Sequence, residues 1–202
     1  MNKDFCFVYL HGFKSSPEST KAVFIKNYAE TKGIGFYCPP LDISPQIAIE
    51  QVNTVISNIS KSNIKSVLIG SSLGGFYATW AMQNHPNSSN CLGIMLNPST
   101  NPSKHLKNEV ENVKDWQEKT LGKTFFKQSH LTALEKLESE ITTEFKNRGN
   151  ILLVASKGDE VLDWREMVEF FQDCEHYLIE GSDHSISNFP VHWPFITKFI
   201  DS

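Results

Sequence analysis

"VLIGSSLGGFYA", residues 67–78, runs from an apolar segment through Gly-Ser-Ser-Leu-Gly-Gly into a helix-like one. Two serines and three glycines at the end of a buried strand mean that the backbone turns sharply there or comes close to something. Residues 70–74 read Gly-Ser-Ser-Leu-Gly, the G-x-S-x-G pattern, with a strand before and a helix after. In that setting the pattern describes a nucleophile elbow: Ser72 is lifted off the sheet on a tight turn with its hydroxyl exposed. Gly70 and Gly74 let neighbouring backbone pass without a Cβ clash. The amides that open the next helix favour negative charge developing beside the serine. The plainer alternative is a polar residue in a tight connection. A P-loop would need Gly-Lys-Ser/Thr where Gly75-Phe76-Tyr77 stands. A dinucleotide site would need G-x-G-x-x-G, and the Tyr28/Lys32 pair, which resembles a reductase pair, has no glycine-rich loop before it.

Short apolar runs at 5–10, 34–38, 66–70, 91–96, 151–156 and 176–180 read as strands. Most are apolar at consecutive positions, as in strands covered on both faces. Helix signals fall between them. Ser16-Pro17 and Ser44-Pro45 each offer an N-cap serine before a first-turn proline. Further helices are expected from Leu73 to Asn84, from near Asp163 and from near Pro190. Such alternation specifies an α/β chain with a parallel sheet between helices. Residues 99–149 break it. They are polar and rich in Lys and Glu, and Thr132 with Glu135 suggests a capping box. We read residues 1–202 as one domain and 99–149 as a helical cap-like insert over one end of the sheet, the alternative being ordinary surface helices.

The 202 residues carry a net charge of −4 and are 40% hydrophobic and 21% charged, which fits an ordinary globular chain. No basic stripe suggests nucleic acid, and no apolar run approaches a membrane span. The opening stretch lacks the features of a signal peptide. Cys6, Cys38, Cys91 and Cys174 form no C-x-x-C pair, so reduced thiols in a cytoplasmic protein are expected, with no metal site and no cofactor.

A serine nucleophile needs a base and a group to orient it, and after an elbow these follow in the order acid, then histidine. Asp159 follows the strand at 151–156, and His184 follows the strand at 176–180. Both lie in loops at carboxyl ends of strands, where open α/β sheets bind ligands. Asp163 precedes "WREMVEFF" and reads as a helix N-cap rather than as the acid. The loop after the first strand, "LHGF", should supply an oxyanion-hole amide at Phe13, the second coming from Leu73. Gly12 would let that loop approach, and His11 would brace it. His85 is expected at the surface, ending a helix before Pro86, and His105 and His130 are expected to be solvated in the insert, while His176 and His192 read as structural or solvent-facing.

The stretches "YLHGFKSSPES" (9–19), "IGSSLGGFYA" (69–78), "LNP" (96–98), "GDEVLD" (158–163) and "DH" (183–184) together resemble the α/β-hydrolase superfamily, and within it the small bacterial YqiA/YcfP-type esterases. The resemblance implies an abbreviated α/β-hydrolase fold, with six parallel strands in the order 2-1-3-4-5-6. It also implies an esterase or thioesterase with a Ser72-Asp159-His184 triad, and the substrate expected here is a small-molecule ester or acyl-CoA-like thioester. A peptidase or amidase on the same residues, or a non-catalytic interaction module, are the alternatives. Trp116, Phe125 and Phe126 are the aromatics the insert offers to a lid.

Overall fold

The computed structural model describes residues 4–110 and 125–202. Six strands, β1 (Phe5–Leu10), β2 (Gly35–Tyr37), β3 (Lys65–Ser71), β4 (Cys91–Leu96), β5 (Ile151–Ser156) and β6 (Glu175–Ile179), form one sheet. The order is β2-β1-β3-β4-β5-β6, and every pair is parallel. The helices are α1 (Thr20–Lys32), α2 (Pro45–Ser60), α3 (Leu73–Asn84), α4 (Pro102–His105), α5 (Gln128–Glu138), α6 (Trp164–Phe170) and α7 (Phe189–Ile200).

The consecutive apolar positions are explained by two cores, one on each side of the sheet. Phe7, Tyr9, Val67, Ile69, Ile94 and Val154 point to the side covered by α1 and α7, with Ile25 and Trp193 packed on them. Val8, Leu10, Leu68, Met95 and Leu153 point to the other, covered by α2, α3, α5 and α6. Strand side chains alternate between faces, so a central strand with both faces covered must be apolar throughout. β6 stands at the edge, and its residues 176–178 are only half-buried.

Two expected helix signals fall elsewhere. Ser16-Pro17 does not start α1, which begins at Thr20. The Ser16 hydroxyl accepts from Glu18 N–H (3.2 Å) and its carbonyl from Ser19 N–H (3.1 Å), so that serine closes a turn of its own. Thr132 lies inside α5 rather than at its start. The helix opens at Gln128, where His130 Nδ1 accepts from Lys127 N–H (3.3 Å), because the buried series Leu131, Leu134 and Leu137 needs the earlier turn. In the insert, α4 and α5 are described, and Phe126 is buried edge-on against Phe13 at 5.2 Å between ring centroids. Phe125 is described as well, whereas Trp116 lies outside the described residues.

Candidate active site

β3 ends at Ser71 and α3 begins at Leu73, so the whole reversal falls on Ser72, at φ 54° and ψ −119°. A non-glycine residue held there costs about 1–3 kcal/mol and persists only where the surroundings over-determine it. They do so here. Ser72 N–H donates to Leu96 O (3.0 Å), and Ser72 O accepts from Gly75 (2.9 Å), Phe76 (3.2 Å) and Ser99 (3.1 Å). The flanking glycines are obligatory for contact reasons. A Cβ on Gly74 would stand 2.0 Å from Leu10 O, and one on Gly70 would stand 2.3 Å from Gly74 O.

The structure brings Ser72, His184 and Asp159 together. His184 Nε2 lies 3.0 Å from Ser72 Oγ, and His184 Nδ1 lies 2.8 Å from Asp159 Oδ2. The carboxylate can only accept from Nδ1–H, which leaves Nε2 as acceptor for the serine hydroxyl. The Asp159 side chain is fully buried, and its Oδ1 accepts from Val161 and Leu162 N–H, both at 2.8 Å. Asp163 stands apart and caps α6, accepting from Arg165 N–H at 2.9 Å. That backbone bond holds its carboxyl below the usual range.

The loop after β1 lies against the serine: a Cβ on Gly12 would come within 3.2 Å of Ser72 Cβ. His11 is buried and ties this loop down. Its Nε2 accepts from Leu41 N–H (3.1 Å), so the ring hydrogen is on Nδ1 and donates to Gly12 O (3.0 Å). The N–H groups of Phe13 and Leu73 have no acceptor among the described residues. A cavity of about 410 Å³ opens beside Ser72 and His184, with Phe13, Phe24 and Phe189 among its walls. Phe125 and Phe126 do not line it.

Asn97 is a member of this constellation that sequence reasoning passed over. Its Nδ2 donates to Asp183 O (3.1 Å), His184 O (3.0 Å) and Ser156 Oγ (3.3 Å), and its Oδ1 accepts from Ser156 N–H (2.8 Å). It pins the His184 loop to the ends of β4 and β5. "LNP" was conspicuous, but only the fold places that amide under a loop far along the chain. Two other histidines differ from expectation. His85 is buried and bonded to Ser57 Oγ (3.2 Å), while His105, expected to be solvated, shares a 2.8 Å bond with Ser99 Oγ. Among the described residues no group of three or more His, Cys, Asp or Glu could hold a metal ion, and no helix is long and apolar enough to cross a membrane. All four cysteines are free thiols.

The model of an uncharacterised protein family, UPF0227, matches residues 6–201. The chain belongs to family UPF0227. Solved structures similar to this UPF0227 protein include Est1E from Butyrivibrio proteoclasticus with ferulic acid bound, at 15% identity and TM-score 0.74, covering 100% of this chain and 92% of that one. Mouse alpha/beta hydrolase domain-containing protein 10 matches at 15% identity and TM-score 0.73, covering 100% and 91%. The Pyrococcus furiosus esterase Pf2001 matches at 16% identity and TM-score 0.71, covering 98% and 81%. At such identities the likeness is one of fold: this UPF0227 protein has the α/β-hydrolase fold, as the resemblance of its sequence implied.

Proposed function

We propose that this protein is a serine hydrolase of carboxylic esters or acyl thioesters, with Ser72, His184 and Asp159 as its catalytic residues. The observation that carries the reading is the strained Ser72 with His184 Nε2 at 3.0 Å, backed by Asp159 at 2.8 Å. Ser72 Oγ attacks the carbonyl carbon while its proton passes to Nε2. The Phe13 and Leu73 N–H groups stabilise the oxyanion. When the C–O or C–S bond breaks, His184 returns the proton to the leaving group. Water, activated by the same nitrogen, then adds to the acyl-enzyme and frees Ser72 and the acid. Asp159 keeps the ring in the required tautomer and stabilises the imidazolium. The site as described calls for no metal or organic cofactor. The domain reading is part of the proposal: residues 99–149 act as a lid that touches the Phe13 loop through Phe126. Four free thiols suit a reducing compartment, for which we take the cytoplasm.

A panel of p-nitrophenyl esters from acetate to palmitate, run beside acyl-CoA thioesters and p-nitroanilides, tests the reading. Ester or thioester turnover that disappears in Ser72→Ala is the expected result. Turnover of anilides alone would move the protein to the amidases, and no turnover of any of them would favour an interaction module.

A further inference from the structure

The cavity beside Ser72 has an unusual charge pattern. Its lining includes one ammonium, Lys21, and no carboxylate. Lys21 Nζ donates to a neutral acceptor, the backbone carbonyl of Ser185, across the cavity from its own helix. Among the described residues it makes no ion pair. Asp183 is near enough to favour its charge but forms no ion pair with it, its oxygens accepting from Ser187 N–H at 2.8 Å and from the Ser187 hydroxyl. Burial outweighs that help and pushes the ammonium down to about 8. A half-buried cation held by a carbonyl and short of a counter-charge is a group that an anion would stabilise.

The surroundings favour the same partner. Ser19, Thr20 and Lys21 open α1 directly into this cavity. The Ser19 side chain caps nothing, the first turn has no acidic residue, and the N–H groups of residues 20–22 have no acceptor among the described residues. The dipole end and the ammonium therefore point one sign of charge at the space beside the nucleophile. Phe24, on α1 itself, packs edge-on against Phe189, and with Ile186 they give the same cavity an apolar wall. Such a cavity matches an amphipathic group with an apolar part and a negatively charged end.

We propose that this cavity is an anion subsite, with Lys21 as the residue that selects substrates bearing a carboxylate or phosphate on one side of the ester bond. The inference rests on the hydrolase reading for its chemistry, though not for its binding. Three matched substrate sets test it. p-Nitrophenyl hydrogen adipate against p-nitrophenyl hexanoate places the charge on the acyl side. 4-Carboxyphenyl butanoate against 4-carbamoylphenyl butanoate places it on the leaving group. 4-(Butanoyloxy)phenyl phosphate against the same 4-carbamoylphenyl butanoate replaces the carboxylate with phosphate. The charged member of at least one set is expected to show the higher kcat/KM. Lys21→Met is expected to lower that preference by about tenfold to a hundredfold, as for loss of a charge-assisted hydrogen bond, and Lys21→Arg to keep most of it. Calorimetric binding of the butanoate pair to Ser72→Ala reads the subsite without turnover. Binding selectivity for the anion without turnover in wild type would sink the hydrolase reading and keep the subsite. Turnover with no anion preference in any set, or a preference that survives Lys21→Met in both assays, would overturn the subsite alone.

Discussion

Replacing Asp159 with asparagine should disable the site while leaving the fold almost untouched, and the reason lies in two backbone amides. Asp159 Oδ1 accepts from both Val161 and Leu162 N–H at 2.8 Å, while Oδ2 faces His184 Nδ1. An asparagine has one oxygen and one NH₂. The two fixed donors claim the oxygen, so the NH₂ is forced toward Nδ1. A donor facing Nδ1 makes that nitrogen an acceptor and moves the ring hydrogen to Nε2, 3.0 Å from Ser72 Oγ. Nε2–H then donates to the serine instead of taking its proton. Loss of the productive tautomer lowers kcat by about 10⁴ in a triad of this kind. Because asparagine keeps the size and the two backbone bonds, the melting temperature should stay near wild type. The assay is p-nitrophenyl ester turnover with a thermal melt on the same sample. Asp163→Ala is its control, since that carboxylate caps α6 at the surface and should lower the melting temperature modestly while most activity survives. Full activity in Asp159→Asn would remove Asp159 from the site, and so would activity lost without stability in Asp163→Ala.

Two further outcomes follow from close contacts. Gly74→Ala would place a Cβ 2.0 Å from Leu10 O and 2.7 Å from His11 O, both backbone atoms; the β1 loop must move, so activity should fall far more than for Ser71→Ala, measured as ester kcat/KM on folded protein. Phe126→Ala removes a ring that is 2% exposed and packed on Phe13; it should cost about 3–5 kcal/mol by denaturant titration and change acyl-chain preference, and unchanged preference in folded protein would remove the lid reading.

The sheet was legible because both its faces are covered, which writes the central strands as unbroken apolar runs. β6 was legible in spite of its half-exposed residues, since Tyr177-Leu178-Ile179 still forms a short apolar run. Ser72, Asp159 and His184 could be picked out because the elbow pattern fixes the serine and strand ends fix where partners can sit. Lys21 could not. Its partner carbonyl is Ser185, 164 positions away, and nothing in the α1 sequence announces that its first turn opens beside a nucleophile. Asn97 was hidden for the same reason. Ser16-Pro17 misled because a serine hydroxyl satisfies a turn amide as readily as a helix amide, and local sequence does not say which is present.

The most direct test of Ser72 as the nucleophile is covalent labelling. A fluorophosphonate probe reacts with a serine only where a base has activated it, so it reads Ser72 without any choice of substrate. Intact wild-type protein is incubated with the probe, digested, and the modified residue assigned by peptide mass spectrometry. A single adduct on Ser72 is expected, absent from Ser72→Ala and strongly slowed in Asp159→Asn. An adduct on Ser71 or on any other serine, or no adduct in folded wild-type protein, would contradict that role.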